Sequence, residues 1–244
     1  KPAGMDIKFD SPKNPEVISE IIELFGVGDG DIVLDFFSGS ATTADAVLQK
    51  NLKDNCRRKF IMVQIAETCN EKSEAYKAGY KTICEIGEER IRRAGERIKN
   101  DNPIIAESLD MGFRVFELDD SNMNDVYYSA SEYTQDLLSL LESNVKADRT
   151  DMDLLFGCLL EWGLPLSLSY RSEVIDGFKV HTYNDGDLIA CFDENIPDSV
   201  IKAIAKRQPL RAVFRDSSFY GSPAKINVGE IFKMIAPDTR IKVI

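Results

Sequence analysis

The sequence predicts an α/β protein: half of a doubly wound parallel sheet followed by a smaller α/β domain. Three observations carry this reading. Residues 14–100 alternate helix-period and strand-type apolar segments in the order helix, strand, helix, strand, helix. Residues 188–244 resume the alternation as a compact βαβαβ unit. Between them lies one hairpin signal, Asp176-Gly177, flanked by apolar runs.

In the first part, "NPEVISEIIELFG" offers Asn14 as N-cap, Pro15 at the first helical position and Gly26 as the stop. Its apolar residues Val17, Ile18, Ile21, Ile22 and Phe25 recur at helical spacing. "DIVLDFF" and "KFIMVQI" lack polar alternation, which predicts two fully buried strands. "TTADAVLQKN" between them returns to helix. "AYKAGYKTICEIGEERIRRAGERIKN" reads as a helix broken near Gly79. Arg90, Arg93 and Arg97 fall on one of its faces, and the interleaved Glu88, Glu89 and Glu96 favour a solvated, self-paired surface over a phosphate site.

"NDNPIIAES" reads as a linker, so residues 1–104 and 105–244 are the expected domains. The second opens on a strand-like "GFRVFEL" and a polar loop. Two helices follow, "SEYTQDLLSLLESNV" and "TDMDLLFGCLLEWG". Thr150 caps the latter, Asp151 and Asp153 sit in its first turn, and Gly163 with Pro165 stops it. The hairpin "EVIDGFKVHTY" leads to "LIACF", "PDSVIKAIAK", "LRAVFRD", "NVGEIFKMIA" and "RIKVI". Asp193 and Asp216 end strands there and are expected to cap loops or helices. Trp162 is expected in the core and His181 at the surface or in packing.

Composition narrows the function. At 244 residues and 43% hydrophobic, the chain can bury one large core or two modest ones. No apolar run approaches the length of a membrane span. The five cysteines are scattered without a Cys-x-x-Cys pair, which predicts free thiols in a reducing compartment and no zinc ligand set. With His181 the single histidine, a histidine-based triad or multi-histidine metal site is nearly excluded. The net charge is −11. Residues 1–104 hold 16 basic and 18 acidic side chains, and residues 105–244 hold 14 and 23. A surface that grips phosphates needs the opposite balance, so the second part is a poor nucleic-acid holder. Lys1 without an initiator methionine predicts a fragment of a longer protein.

The chemistry concentrates in "DFFSGSATTADAV", where the first strand releases into a helix. Ligands of open α/β sheets sit beyond the carboxyl ends of the strands. Gly39 lets a ligand approach the main chain, and Thr42 or Thr43 can cap the helix. The helix N–H groups attract an anion, and Asp35 accepts from a positive group. A ligand carrying both an ammonium and a carboxylate satisfies both ends. An ordinary strand-to-helix turn explains the same residue types about as well. "GVGDG" (Gly26, Gly28, Gly30) resembles a dinucleotide fingerprint but precedes the strand and faces the wrong sheet edge, which counts against a nicotinamide-dependent oxidoreductase. A P-loop pattern is absent.

"LDFFSGSATTADAV" resembles motif I of the amino-group DNA methyltransferases, and "FDSPKNPEVISEII" is similar to the motif X that precedes it in the permuted class. "RKFIMVQIAE", "EKSEAYKAGYKTICEIGEERIRRAG", "LLFGCLLEWGLPL", "GDLIACFDENI", "LRAVFRDSSF" and "KINVGEIFKMI" resemble the modification (Mod) subunit of type III restriction-modification systems. The resemblance spans almost the whole chain. It implies a partial Rossmann-like methyltransferase sheet that binds S-adenosylmethionine. By its motifs, Asp35, Phe36, Phe37, Ser38, Gly39, Ser40, Thr42 and Thr43 surround the cofactor's methionine end. Asp10, Ser11, Pro12 and Lys13 close over the same end. Gln64 stands where an acidic residue commonly holds the ribose hydroxyls, without charge assistance. Ala41 replaces the usual second glycine and Asn14 the usual proline.

The family's catalytic Asp-Pro-Pro-Tyr-type motif lies upstream of motif X, with the target-recognition region between them. This chain contains no Pro-Pro dipeptide. The expected protein is therefore a C-terminal fragment of an adenine-specific DNA methyltransferase, cytoplasmic and inactive alone. DNA contacts come mostly from regions outside these residues. The resemblance further implies a Mod homodimer, and a restriction (Res) subunit docked on residues 105–244. The alternative is a non-catalytic interaction subunit with a degenerate methyltransferase fold.

Overall fold

The computed structural model describes residues 13–124 and 144–244. The chain forms two compact units, Lys1–Arg114 and Val115–Ile244. The predicted helix over 131–145 lies almost wholly outside the described residues.

In the first unit, α1 (Pro15–Leu24) starts as its sequence dictates: the Asn14 side chain accepts from the Glu16 amide at 3.0 Å. Strands β1 (Ile32–Asp35) and β2 (Lys59–Met62) pair in parallel, Ile32 opposite Lys59 and Asp35 opposite Met62. α2 (Thr42–Asp54) is the crossover between them. Gly79, at φ +100°, breaks the next helical stretch into α3 (Glu74–Lys77) and α4 (Ile83–Asp101). The core lies between α2 and α4: Ala41, Ala44, Leu48, Ile91, Ala94 and Ile98 are buried, with Phe60 and Met62 of β2 packed against them.

Three expectations need correction here. The strands are not fully buried: Ile32 and Leu34 are each 57% exposed, and Ile61 and Val63 are exposed beside them. Among the described residues, helices pack on the Phe60 and Met62 face of this sheet and leave Ile32 and Leu34 exposed, and residue periodicity cannot reveal which layers are present. "NDNPIIAES" contains a short helix, α5 (Pro103–Ala106), and Ala106, Leu109 and Met111 pack into the first core. "GFRVFEL" forms no strand, since among the described residues no strand pairs with it.

The second unit carries the larger sheet, ordered β3-β4-β5-β6-β7. α6 (Asp151–Glu161) opens with a full capping box between Thr150 and Asp153. β3 (Tyr170–Ile175) and β4 (Phe178–Tyr183) form the predicted hairpin, with Asp176 at φ +50° and Gly177 at +90°, the signs a tight primed turn demands. β4 continues antiparallel to β5 (Leu188–Cys191). α7 (Asp198–Ala205), β6 (Arg211–Phe214), α8 (Gly221–Ile235) and β7 (Arg240–Val243) then complete the parallel βαβαβ part.

Period-two alternation splits this sheet between two cores. Val180, Ile189, Cys191, Ala212 and Phe214 pack with α7 and α8. Tyr183, Leu188, Ala190 and Val213 pack with α6 on the opposite face. His181 is fully buried on that side: Nδ1 meets the Ser172 hydroxyl at 2.7 Å and Nε2 the Asp151 carboxylate at 3.2 Å. Trp162 is partly buried, with the Arg211 and Lys242 cations 5.7 and 5.8 Å from its ring centre.

Candidate functional site

The elbow between β1 and α2 is held by its own backbone. Val63 donates to the Asp35 carbonyl at 2.8 Å, Ser38 to the Val63 carbonyl at 3.2 Å, and Ala41 to the Ser38 carbonyl at 2.8 Å. The turn bends through two left-handed positions, Gly39 at φ +50° and Ala41 at +55°. Glycine takes such a conformation freely, and alanine pays roughly 1 kcal/mol for it.

Ala41 is also the N-cap of α2, correcting the expectation that Thr42 or Thr43 caps it. Its side chain makes no capping bond, so the first-turn amides of α2 are left without a side-chain acceptor. The threonines do other work. Thr43 donates its hydroxyl to Asp35 Oδ2 at 2.6 Å, while Asp35 Oδ1 accepts from the Phe37 amide at 3.1 Å. Thr42 Oγ1 accepts from the guanidinium of Arg90 on α4. Both Asp35 oxygens are thus oriented, and a carboxylate keeps further acceptor capacity.

Beside the elbow opens a cleft of about 490 Å³. That volume falls in the ~300–1,000 Å³ range of small-ligand sites. Its polar wall is Asp35, Ser38, Gly39, Ser40, Thr42 and Thr43, with Phe37 at the rim. Its apolar wall is Val17, Ile18 and Ile21 of α1, and Lys13 and Asn14 complete it. Lys13, Asp35, Phe37, Ser38, Gly39, Ser40, Thr42 and Thr43 are therefore the sequence candidates that the fold brings together. Phe36 is not part of the cleft lining, and its ring lies 5.1 Å from that of Phe37 between centres. Gln64 stands behind the elbow: its Oε1 accepts from the Gly39 amide at 2.8 Å, and its Nε2 donates to the Ile65 carbonyl at 3.2 Å. Asp10, Ser11 and Pro12 lie outside the described residues.

Sequence reasoning missed two contributors. The α1 stripe has the spacing of a core face, yet only Ile22 of that helix is buried and Val17 is 52% exposed. Helical periodicity does not distinguish a core from a cleft wall. Arg90 was grouped with a solvated face; it is 4% exposed and turned inward to Thr42. Burial pulls its guanidinium below the ordinary value, with the nearby Asp45 charge opposing the shift. Arg97 also turns inward, to Asp45 at 3.0 Å, whereas Arg93 pairs with Glu89 on the helix surface as expected, and Arg92 pairs with the same Glu89. Gly87 lets α4 pass close to the turn: a Cβ there sits 3.4 Å from Ala41 Cβ and 3.5 Å from the Gly39 carbonyl oxygen. Asp193 and Asp216, the strand-ending acids of the second unit, are engaged by the Lys179 amide and the Lys225 ammonium, respectively.

The chain is similar to known proteins across this site and beyond it. Residues 2–94 match the family model described as DNA methylase. The chain is 44% identical over 109 residues to the type III restriction-modification enzyme StyLTI Mod subunit of Salmonella typhimurium, covering 45% of this chain and 16% of that one. It is 30% identical over 237 residues to the EcoP15I Mod subunit of Escherichia coli, covering 93% of this chain and 34% of that one. To the type II methyltransferase M.KpnI of Klebsiella pneumoniae it is 36% identical over 83 residues, 34% of this chain and 20% of the other. Residues 2–94 are thus similar to the DNA methylase family. The chain as a whole is a relative of type III Mod subunits. It spans no more than 34% of the length of the curated relatives it matches. Among the described residues no helix is long and apolar enough to cross a membrane.

Proposed function

We propose that this chain is the cofactor-binding part of a type III Mod subunit, an adenine DNA methyltransferase, and that its cleft takes S-adenosylmethionine. The observation that carries the proposal is the pairing, within one cleft, of an oriented carboxylate with an uncapped helix N-terminus. In this reading Asp35 accepts from the methionine ammonium, and the amides of Ser40, Thr42 and Thr43 face its carboxylate. Gly39 admits the ligand to the main chain. Val17, Ile18 and Ile21 shield its apolar parts from water, and Lys13 closes the rim. Gln64 holds the elbow and lies next to the expected ribose position. The cofactor supplies the electrophilic methyl group; the residues described here orient it and exclude solvent.

The proposal includes an incapacity. The sequence has no Pro-Pro dipeptide, so the Asp-Pro-Pro-Tyr-type motif that positions a flipped adenine is missing, together with a target reader. The chain then binds cofactor but transfers no methyl group by itself. DNA is held by other parts of the methyltransferase. Residues 105–244, rich in acid and without a cofactor motif, dock the restriction subunit, and the complete Mod assembles as a dimer. Incubation of the 244-residue chain with methyl-labelled S-adenosylmethionine and mixed-sequence duplex DNA tests the central point. Retained cofactor with unlabelled DNA is expected; methylated duplex DNA refutes the incapacity. A pull-down in which removal of residues 105–244 leaves restriction-subunit binding unchanged removes the docking assignment.

A further inference from the structure

Arg90 is built unlike the other arginines of α4. It is 4% exposed, and its Nε has no hydrogen-bond partner. Among the described residues it forms no ion pair: the nearby Asp45, whose Oδ1 accepts from Arg97 at 3.0 Å and from the Gln49 amide at 2.7 Å, acts on it only across space. A buried cation without a carboxylate partner is costly to keep. Its one directed bond goes to Thr42 Oγ1, at the lip of the cleft and the first position of α2.

A threonine hydroxyl has one donor hydrogen and two acceptor sites. With a guanidinium N–H on an acceptor site, the hydroxyl's own hydrogen turns elsewhere, and the open side of Thr42 is the cleft. Donation from a cation also polarises that O–H and strengthens it as a donor. The positive charge adds to that of the α2 N-terminus on the same side. Asp35, whose carboxylate bonds Thr43 and the Phe37 amide, presents the opposite charge to the same cleft. One wall therefore separates an anion subsite from a cation subsite.

Resting on the cofactor reading above, we propose that Arg90 is a positioning residue for the ligand's carboxylate, acting through the Thr42 hydroxyl. It touches no reacting atom. It directs one donor and supplies the countercharge from beneath the elbow.

The test compares binding of S-adenosylmethionine and of its decarboxylated analogue, which keeps the amine, to the full 244-residue chain and to Arg90→Met, Arg90→Lys and Thr42→Val. Arg90→Met is expected to weaken S-adenosylmethionine about tenfold while moving the decarboxylated analogue less than about twofold. Arg90→Lys is expected to recover most of the loss. Thr42→Val reproduces the loss, and combining it with Arg90→Met adds little, because both remove one interaction. Equal losses for the two ligands overturn the proposal, since a merely structural arginine weakens both. An unchanged affinity for S-adenosylmethionine in every variant overturns it as well. Wild-type chain that binds neither ligand removes the cofactor reading itself, a different outcome from either. If Arg90→Met loses its far-ultraviolet dichroism, Arg90→Lys and Thr42→Val decide the question, each by its selectivity between the two ligands.

Discussion

The amide of Gly39 donates to the side-chain oxygen of Gln64 at 2.8 Å, tying the tip of the elbow to the chain just beyond β2. Ser38, donating to the Val63 carbonyl, makes the neighbouring tie. Gln64→Ala is expected to lower the unfolding free energy by about 1 kcal/mol through the lost bond. It is also expected to weaken cofactor binding by loosening Gly39. Gln64→Glu keeps the acceptor and adds charge, so stability is expected to hold. Urea unfolding of both variants, followed by dichroism, checks the pair. Equal destabilisation by alanine and glutamate contradicts the bond's role.

Ala41 sits at φ +55° with its Cβ in contact distance of any Cβ placed at Gly87. Ala41→Gly relieves about 1 kcal/mol of backbone cost but removes a buried methyl worth about 0.8 kcal/mol, so it is expected to be nearly neutral. Gly87→Ala improves the helix by roughly 1 kcal/mol and fills the space the first change opens. The double variant is expected to melt above either single one. A double variant no more stable than Ala41→Gly contradicts the contact.

The acid limb of stability has a local source. Lys50 is buried between Glu23 at 2.7 Å and Asp54 at 3.3 Å, and Arg58 reaches Asp54 at 2.7 Å. The Lys50 hydrogen bond holds the Glu23 carboxyl below its usual range. For Asp54, burial pushes upward, and the bonds to Arg58 and Lys50 outweigh it, leaving the carboxyl lowered. Such groups bind fewer protons folded than unfolded. Their contribution is present above the unfolded value of about 4 and is lost as pH falls through the folded one. The same contacts raise Lys50, chiefly through its Glu23 bond, so its share is lost only as pH rises through its folded value. Lys50→Met is expected to flatten the decline in urea midpoint between pH 7 and pH 3. A decline as steep as in the wild type contradicts the assignment.

Burial pushes the thiols of Cys158 and Cys191 up to about 11. A maleimide at pH 8 is expected to leave both unlabelled in the native state and to reach them only on unfolding. Cys56, Cys69 and Cys84, each partly exposed, are expected to react without denaturant. Native labelling of Cys191 at the rate of Cys56 contradicts the packing of β5.

Much of this was legible in the residues, and the failures share a cause. Asn14 and Thr150 as caps, the Asp176-Gly177 turn and the βαβαβ tail follow from local chemistry, and the structure repeats them. The elbow was legible too, because Gly39 and Asp35 follow a strand-type run directly. What one chain's pattern does not encode is the layer that covers an element. The apolar run of β1 looks buried whether one face or both are packed, and Ile32 and Leu34 stay exposed. Val17 and Ile21 have the spacing of a core stripe and line a cleft instead. Arg90 differs from Arg93 by three residues on one helix, and only the packing of α2 against α4 makes the first buried and the second surface-paired.

The most direct test is calorimetric titration of the 244-residue chain with S-adenosylmethionine and, in parallel, with NAD. The account predicts saturable one-site binding of S-adenosylmethionine, weakened about tenfold or more by Asp35→Asn through the lost charge-assisted contact, and no binding of NAD. Absence of saturable heat with S-adenosylmethionine, preference for NAD, or binding indifferent to Asp35→Asn contradicts it.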